Sequence, residues 1–180
     1  MNKIYTGIGS RDTPHEIRNL MTELAQRLEG HGFILRSGAA DGADQAFEKG
    51  VTNPDNKEIY LPWKGFNGST SELYTLSNQA LATVNNYHPA PDYLNNVSIK
   101  LMARNSYQVL GQTLDKPSSF VLCWTPDGCE DNRSRKSITG GTGQAVSIAS
   151  FKKIAIFNLK NLESLAKLKQ HLKQNFDCTL

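Results

Sequence analysis

The spacing of apolar residues along the chain predicts a repeating order of strand and helix. A run of β-branched and aromatic residues at 3–6 predicts a first strand. Apolar residues then recur at intervals of three and four, which predicts a helix with one buried face: Ile17, Leu20, Met21, Leu24, Ala25 and Leu28. Thr13 and Glu16 have the spacing of a capping box around Pro14, so we expect this helix to begin there and to end at Gly30.

The same pattern repeats along the rest of the chain. The continuously apolar run at 33–35 is typical of a strand buried on both faces, and a helix that closes at Gly50 follows it. The later elements are a strand at 59–61, an insertion at 62–98 with a helix near 72–82, a helix over 92–114, strands at 119–124 and 154–157, and a C-terminal helix at 160–180. This alternation predicts a single α/β domain over residues 1–180, a Rossmann-like three-layer fold with a mostly parallel sheet flanked by helices.

Composition narrows the class of protein. Hydrophobic residues make up 38% of the chain, and no stretch approaches the roughly 20 apolar residues that cross a bilayer, so we expect no contact with a membrane. The N-terminus enters a strand without the features of a secretory signal, which favours a cytoplasmic protein. The three cysteines form no CxxC pair and the four histidines lack ligand spacing, so we expect no disulfide, metal or other cofactor.

Three glycine-rich segments, at 7–11, 36–42 and 140–145, each follow a predicted strand and precede a predicted helix. In a parallel sheet all three open at the carboxyl edge, where ligands of such folds bind. Glycine lets the backbone approach an anion closely, and the N–H groups at a helix start favour negative charge. The three segments together predict a phosphate-binding site, although none of them alone matches a dinucleotide fingerprint or a P-loop.

The residues expected to contact a phosphate-bearing ligand come from these segments: Gly9, Ser10, Arg11, Ser37, Gly38, Ala39, Asp44, Gly140, Gly141, Thr142 and Gly143. The Ser10 hydroxyl and the Arg11 guanidinium are suited to phosphate oxygens. Asp44 has two interpretations, recognition of a sugar hydroxyl and capping of its own helix. Trp63 lies in a polar, glycine-containing loop, where its ring would either stack on a base or pack in the core.

Together these motifs resemble the DprA/LOG-like (SLOG) superfamily of nucleotide-binding proteins, over most of residues 4–158. Gly9-Ser10-Arg11 resembles the GSR of the family's first loop. Ser37-Gly38-Ala39-x-x-Gly42-x-Asp44 is similar to the second-loop segment of DprA-type members. Gly140-Gly141-Thr142-Gly143 resembles part of the LOG motif PGG-x-G-T-x-x-E, in which Ser147 occupies the position of the catalytic glutamate.

The resemblance implies a nucleotide ligand and, for LOG-type members, cleavage of an N-glycosidic bond. Such cleavage needs a carboxylate to activate water and a cation to hold the phosphate. Arg104 and Asp44 are the candidate catalytic residues, with Asp41, Glu72 and Asp127 as open alternatives to the carboxylate. Because the motif glutamate is missing, the sequence leaves open whether the protein is an enzyme.

Three functional hypotheses follow. The leading one is a SLOG-type nucleotide-binding protein that hydrolyses the N-glycosidic bond of a nucleoside monophosphate or a related nucleotide. The second is a non-catalytic protein that senses or sequesters a nucleotide signal. The third is binding of single-stranded DNA as in DprA, which the net charge of +3 and the lysines after residue 150 favour only weakly. Family members often pair, so the resemblance also implies a homodimer or higher homo-oligomer.

Overall fold

A computed structural model of the protein describes residues 2–180 and contains a five-stranded sheet in which every pairing is parallel. The strands are β1 (Ile4–Gly9), β2 (Ile34–Ser37), β3 (Lys57–Ile59), β4 (Phe120–Trp124) and β5 (Ala155–Asn158). Their order across the sheet is β3-β2-β1-β4-β5. The chain therefore moves outward from β1 to β3 and then crosses back to β4 on the other side of β1.

Within residues 2–180, six α-helices cover the two faces of the sheet. They are α1 (His15–Gly30), α2 (Ala43–Gly50), α3 (Asn78–Tyr87), α4 (Asn96–Leu110), α5 (Thr142–Phe151) and α6 (Ser164–Phe176). Helices α1, α2 and α6 share one hydrophobic core with the sheet, while α4 and α5 pack on the opposite face. The predicted Rossmann-like three-layer α/β fold is confirmed. Among residues 2–180, no helix is both long enough and apolar enough to cross a bilayer.

Alternation of side chains along β1 explains the two cores. Tyr5 packs with the α1, α2 and α6 layer, and Ile8 packs with the α4 and α5 layer. Residues at an odd separation on a strand point to opposite faces, so β1 needs apolar side chains on both. The predicted apolar face of α1 is also confirmed, since Met21, Leu24 and Leu28 are buried.

The predicted capping box at the start of α1 is wrong. The helix begins at His15, directly after Pro14, and no side chain caps its N-terminus. Thr13 Oγ1 instead donates a hydrogen bond to the carbonyl of Ser10 at 2.7 Å. The threonine hydroxyl therefore closes the glycine-rich loop that follows β1, and Pro14, which has no side-chain acceptor, occupies the N-cap position that was predicted for Thr13.

The insertion changes two of the predicted boundaries. The third strand lies at Lys57–Ile59 rather than at 59–61, because the N–H of Leu61 donates to the carbonyl of Leu73, in the insertion, at 2.8 Å. The helix predicted near 72–82 is displaced to Asn78–Tyr87, where Ser77 Oγ accepts a hydrogen bond from the Ala80 N–H and caps the first turn.

Replacing Tyr5 with phenylalanine is expected to raise the free energy of unfolding by about 1 kcal/mol, since a buried hydroxyl without a partner is destabilising. The ring stacks on Phe120 at 5.6 Å, but the hydroxyl is buried and has no hydrogen-bond partner within residues 2–180. Tyr60 is the matched control, because its hydroxyl donates to Glu58 Oε2 at 2.6 Å and Y60F should lower the free energy. Urea denaturation of both variants tests this, and a clear loss of stability in Y5F would contradict it.

Candidate functional site

A cleft of about 430 Å³ opens at the carboxyl edge of the sheet, next to the ends of β1 and β4. Its walls come from the loop after β1 at 9–12, from Ala40 and Asp44 beyond β2, from α4, and from the segment 138–142 before and at the start of α5. Strand order reverses between β1 and β4, and ligands of open α/β sheets bind at such a switch point. The predicted meeting of the three glycine-rich loops at one edge of the sheet is confirmed.

Two consecutive residues of α4 connect the walls of the cleft. Arg104 Nη1 donates a hydrogen bond to the carbonyl of Gly38 and lies 3.5 Å from Asp44 Oδ2. Asn105 Nδ2 donates to the carbonyl of Gly141 at 2.9 Å. Arg104 and Asn105 are both buried. Helix α4 therefore holds the second and third glycine-rich loops at a set distance from each other.

The close approach of Arg104 depends on Gly38. A Cβ atom at position 38 would overlap with the Nη1 atom of Arg104 and would lie 2.8 Å from Gln108 Nε2. Because real Cβ atoms do not tolerate such contacts, any larger residue would push the guanidinium away from Asp44. The position of Arg104 in the cleft lining thus requires glycine at position 38.

Two buried acceptors of the cleft are unpaired. Asp44 Oδ1 and Asn105 Oδ1 have no hydrogen-bond partner within residues 2–180, and both residues line the cleft. The remaining polar atoms of these two side chains are already engaged with Arg104 and Gly141, so neither group is free to rotate. An unpaired buried acceptor costs roughly 1–3 kcal/mol, which a donor group on a ligand would recover.

Two helix N-termini contribute positive potential to the cleft. Helices α2 and α5 both begin at its wall, and neither has a side-chain cap on its N-terminus. Several of the first N–H groups already donate to nearby backbone carbonyls, as that of Gly143 does to Gly140, so the positive potential comes from the helix dipole, about half a charge at each N-terminus. Arg11 adds a full positive charge on the first loop, next to the Asp12 carboxylate in the same lining. This combination is suited to binding an anion.

The predicted ligand-contacting residues divide into two groups. Those that line the cleft are Gly9, Ser10, Arg11, Asp44, Gly140, Gly141 and Thr142. The others, Ser37, Gly38, Ala39 and Gly143, do not line it and support its walls from behind. Ser37 Oγ donates to the carbonyl of Gly7 at 2.8 Å, for example, and the Ala39 N–H donates to Glu48 Oε1 at 2.8 Å.

Other candidates lie away from the cleft. Trp63 packs edge-on against Phe66 at 5.1 Å and does not line it. Ser147 accepts a hydrogen bond from Arg135 Nη1 at 3.0 Å and lines a separate pocket of about 260 Å³. Asp41, Glu72 and Asp127, the alternative carboxylates, are also absent from the cleft lining. Among residues 2–180, no three His, Cys, Asp or Glu side chains are grouped so that they could hold a metal ion.

Sequence reasoning assigned no role in the site to Asn105, Leu101 or Ile138, all of which line the cleft. Arg104, Asn105 and Ser106 are consecutive polar residues, but three such positions span only about 200° of a helix and can all face solvent, so they carry no signal of burial. Leu101 and Ile138 carry none either.

Burial raises the pKa of two carboxyl groups beside the cleft. The pKa of Asp44 rises to about 6 because the group is desolvated, although the Arg104 charge opposes the rise. The pKa of Glu48, one helical turn further along α2, rises to about 7 because of burial and the nearby Asp44 charge. The hydrogen bond from the Ala39 N–H opposes this second shift. Both groups therefore titrate near neutral pH.

We expect Glu48→Gln to make the protein more stable at pH 8 and its stability less dependent on pH. A carboxyl group with a raised pKa in the folded state favours folding below its unfolded pKa, near 4.5, and that contribution is lost as the pH rises through about 7. The loss amounts to roughly 3 kcal/mol for a shift of this size. Glutamine removes the charge and keeps an oxygen for the Ala39 N–H.

Urea denaturation at pH 5 and pH 8 measures this effect. Glu23→Gln is the matched control, because Glu23 is exposed on α1 and its replacement should leave the pH dependence unchanged. An E48Q variant that loses stability between pH 5 and pH 8 as steeply as the unmodified protein would count against a titrating Glu48.

Comparison of the chain with protein-family models, with curated proteins and with solved structures found no match.

Proposed function

We propose that the cleft binds a nucleotide and that the protein is a SLOG-type nucleotide-binding protein. One observation carries the proposal: the cleft at the switch point combines two uncapped helix N-termini with buried, unpaired acceptors. A nucleotide has the matching parts, a phosphate for the N-terminus of α5 and hydroxyl or amino donors for the acceptors. The phosphate would lie against Gly141 and Thr142, with Arg11 beside it.

The size of the cleft favours a small molecule over a polymer. A volume of about 430 Å³ is typical of a pocket that encloses one drug-sized ligand. At the second loop the lining includes the buried pair of Asp44 and Arg104, a small polar floor and not an extended basic surface. Single-stranded DNA binding is therefore the weaker alternative, and it predicts an affinity that falls steeply with salt.

Hydrolysis of the N-glycosidic bond is the second candidate function, and the position of Asp44 favours it. With a pKa of about 6 this carboxyl group is mostly ionised at pH 7; Asp44 lines the cleft, and its Oδ1 atom is unpaired within residues 2–180. It would take a proton from a water molecule whose oxygen attacks C1′ of the sugar, while the bond to the base breaks and the base nitrogen gains a proton. Asp44 would then activate the water molecule, the role of the motif glutamate in LOG-type members.

The test is incubation of the purified protein with nucleoside mono-, di- and triphosphates, cyclic nucleotides and NAD, with thermal shift and chromatography of the same samples. Stabilisation with release of free base supports hydrolysis, which D44N should abolish. Stabilisation with the ligand recovered intact supports the sensing or sequestering alternative. Ser147→Ala is the matched control, because Ser147 lies outside the cleft and its loss should change neither result. No shift with any nucleotide would overturn the proposal.

A further inference from the structure

The cleft has a buried polar floor, and its more exposed lining combines apolar side chains with the charged Arg11 and Asp12. Asp44 and Asn105 are 1% and 3% exposed and carry the unpaired oxygens, while Ile138 at the mouth is 60% exposed. Leu101 and Met102 add further apolar lining from α4. An aromatic base would therefore lie toward the mouth, because its faces are apolar, and the polar middle of the nucleotide would meet the floor.

The two unpaired oxygens select for hydrogen-bond donors. Asp44 Oδ2 lies against Arg104 and Asn105 Nδ2 donates to the Gly141 carbonyl, so in each of these cleft residues only the buried Oδ1 atom lacks a hydrogen-bond partner within residues 2–180. Phosphate oxygens are acceptors and would be repelled by these two atoms, whereas a hydroxyl can donate to them and also accept from Arg104 Nε, a donor of the lining that is likewise buried and unpaired within residues 2–180. Between its phosphate and its base, a nucleotide carries donors only on the sugar, as hydroxyl groups.

We propose that the floor of the cleft recognises the ribose hydroxyls, with Asp44 Oδ1 accepting one of them, so that the protein prefers ribonucleotides to deoxyribonucleotides. This inference rests on the proposed function. A deoxyribonucleotide would leave a buried carboxylate oxygen unpaired, and a site built around a hydroxyl rejects the analogue that lacks it. Hydrogen bonds to charged groups are strong enough to make the preference about 10- to 100-fold in affinity.

The experiment is calorimetric titration of the full-length protein with the four ribonucleoside 5′-monophosphates and with their 2′-deoxy and 3′-deoxy counterparts. At least one ribonucleotide should bind about 10-fold or more tightly than one of its two deoxy counterparts. The deoxy form that binds more weakly, 2′ or 3′, identifies the ribose hydroxyl that the floor of the cleft recognises. Equal affinity across all three forms would overturn the inference and leave nucleotide binding intact, whereas no binding by any of them would remove the proposed function itself.

Asp44→Asn tests the residue assignment. Asparagine has nearly the same shape, and with its oxygen toward Arg104 it would turn a donor, rather than an acceptor, toward the hydroxyl. We expect the ribonucleotide affinity to fall to that of the deoxy form, while the affinity for inorganic pyrophosphate stays within about 2-fold, because the phosphate-binding N-terminus of α5 is separate. Thermal unfolding without ligand checks that the variant folds. Retention of the full ribose preference in a folded D44N protein would contradict the role of Asp44.

Discussion

Replacing Arg104 with methionine is expected to lower the free energy of unfolding at pH 8 by about 3–5 kcal/mol, because the substitution leaves Asp44 buried without its counter-charge. Both side chains are almost fully buried, so water cannot take over the role of the guanidinium. The Gly38 carbonyl also loses its donor. Nucleotide binding should be lost together with the stability, since Arg104 holds the second loop against α4.

The pH dependence of this loss identifies its cause. The Arg104 charge lowers the pKa of Asp44, so its removal should raise that pKa above the present value of about 6. At pH 5 the carboxyl group of the variant is then protonated and the charge penalty disappears, whereas at pH 8 it remains. Urea denaturation should show a smaller loss at pH 5, and D44N/R104M should be more stable at pH 8 than R104M. Equal losses at both pH values would mean that packing, rather than charge, is responsible.

Replacing Gly42 with alanine is expected to destabilise the protein by more than about 3 kcal/mol and to disrupt the cleft, because backbone strain and a direct clash act together. The residue has a φ of +83° and a ψ of −112°, a conformation that is essentially restricted to glycine. A Cβ atom there would lie 2.6 Å from the Arg11 carbonyl oxygen. The Cβ atom would be fixed to the backbone of the second loop, and the carbonyl belongs to the backbone of the first. Only a movement of one loop away from the other therefore relieves the contact.

Gly32 provides the matched control. Its φ of +78° is nearly the same, yet a Cβ atom at this position meets nothing within 4 Å. Gly32→Ala should therefore cost only the conformational strain, about 1–2 kcal/mol. Thermal and urea denaturation of both variants, with nucleotide titration of any variant that folds, separate the two contributions. If G42A and G32A lost the same amount of stability, the contact between the first and second loops would be unimportant.

The positions of the glycine-rich loops were predictable from local sequence. Gly9 and Gly42 follow short apolar runs and precede helical patterns, and parallel strands necessarily bring such loops to one edge of a sheet. The direction that each loop residue faces was not predictable. Ser37 and Ala39 were expected to contact a ligand, but their hydrogen bonds to Gly7 and Glu48 turn them into support for the wall.

Arg104 shows the limit of sequence reasoning most clearly. An arginine within a helix is normally on the surface, and only the resemblance to LOG-type proteins suggested a role for it. Its burial depends on Gly38, which is 66 residues away and leaves room for the guanidinium, and on Asp44, which supplies the opposite charge. No spacing in the chain encodes a contact over that separation.

The sequence by itself determined the strand–loop–helix units, the parallel sheet and the edge at which the loops meet, because hydrophobic periodicity and glycine positions act over a few residues. Only the tertiary structure decided that α4 lies between the second and third loops and that Asp44 and Asn105 keep one unpaired oxygen each. Both outcomes depend on which side chains, distant in sequence, are packed together and removed from water. The spacing of residues along the chain does not encode those contacts.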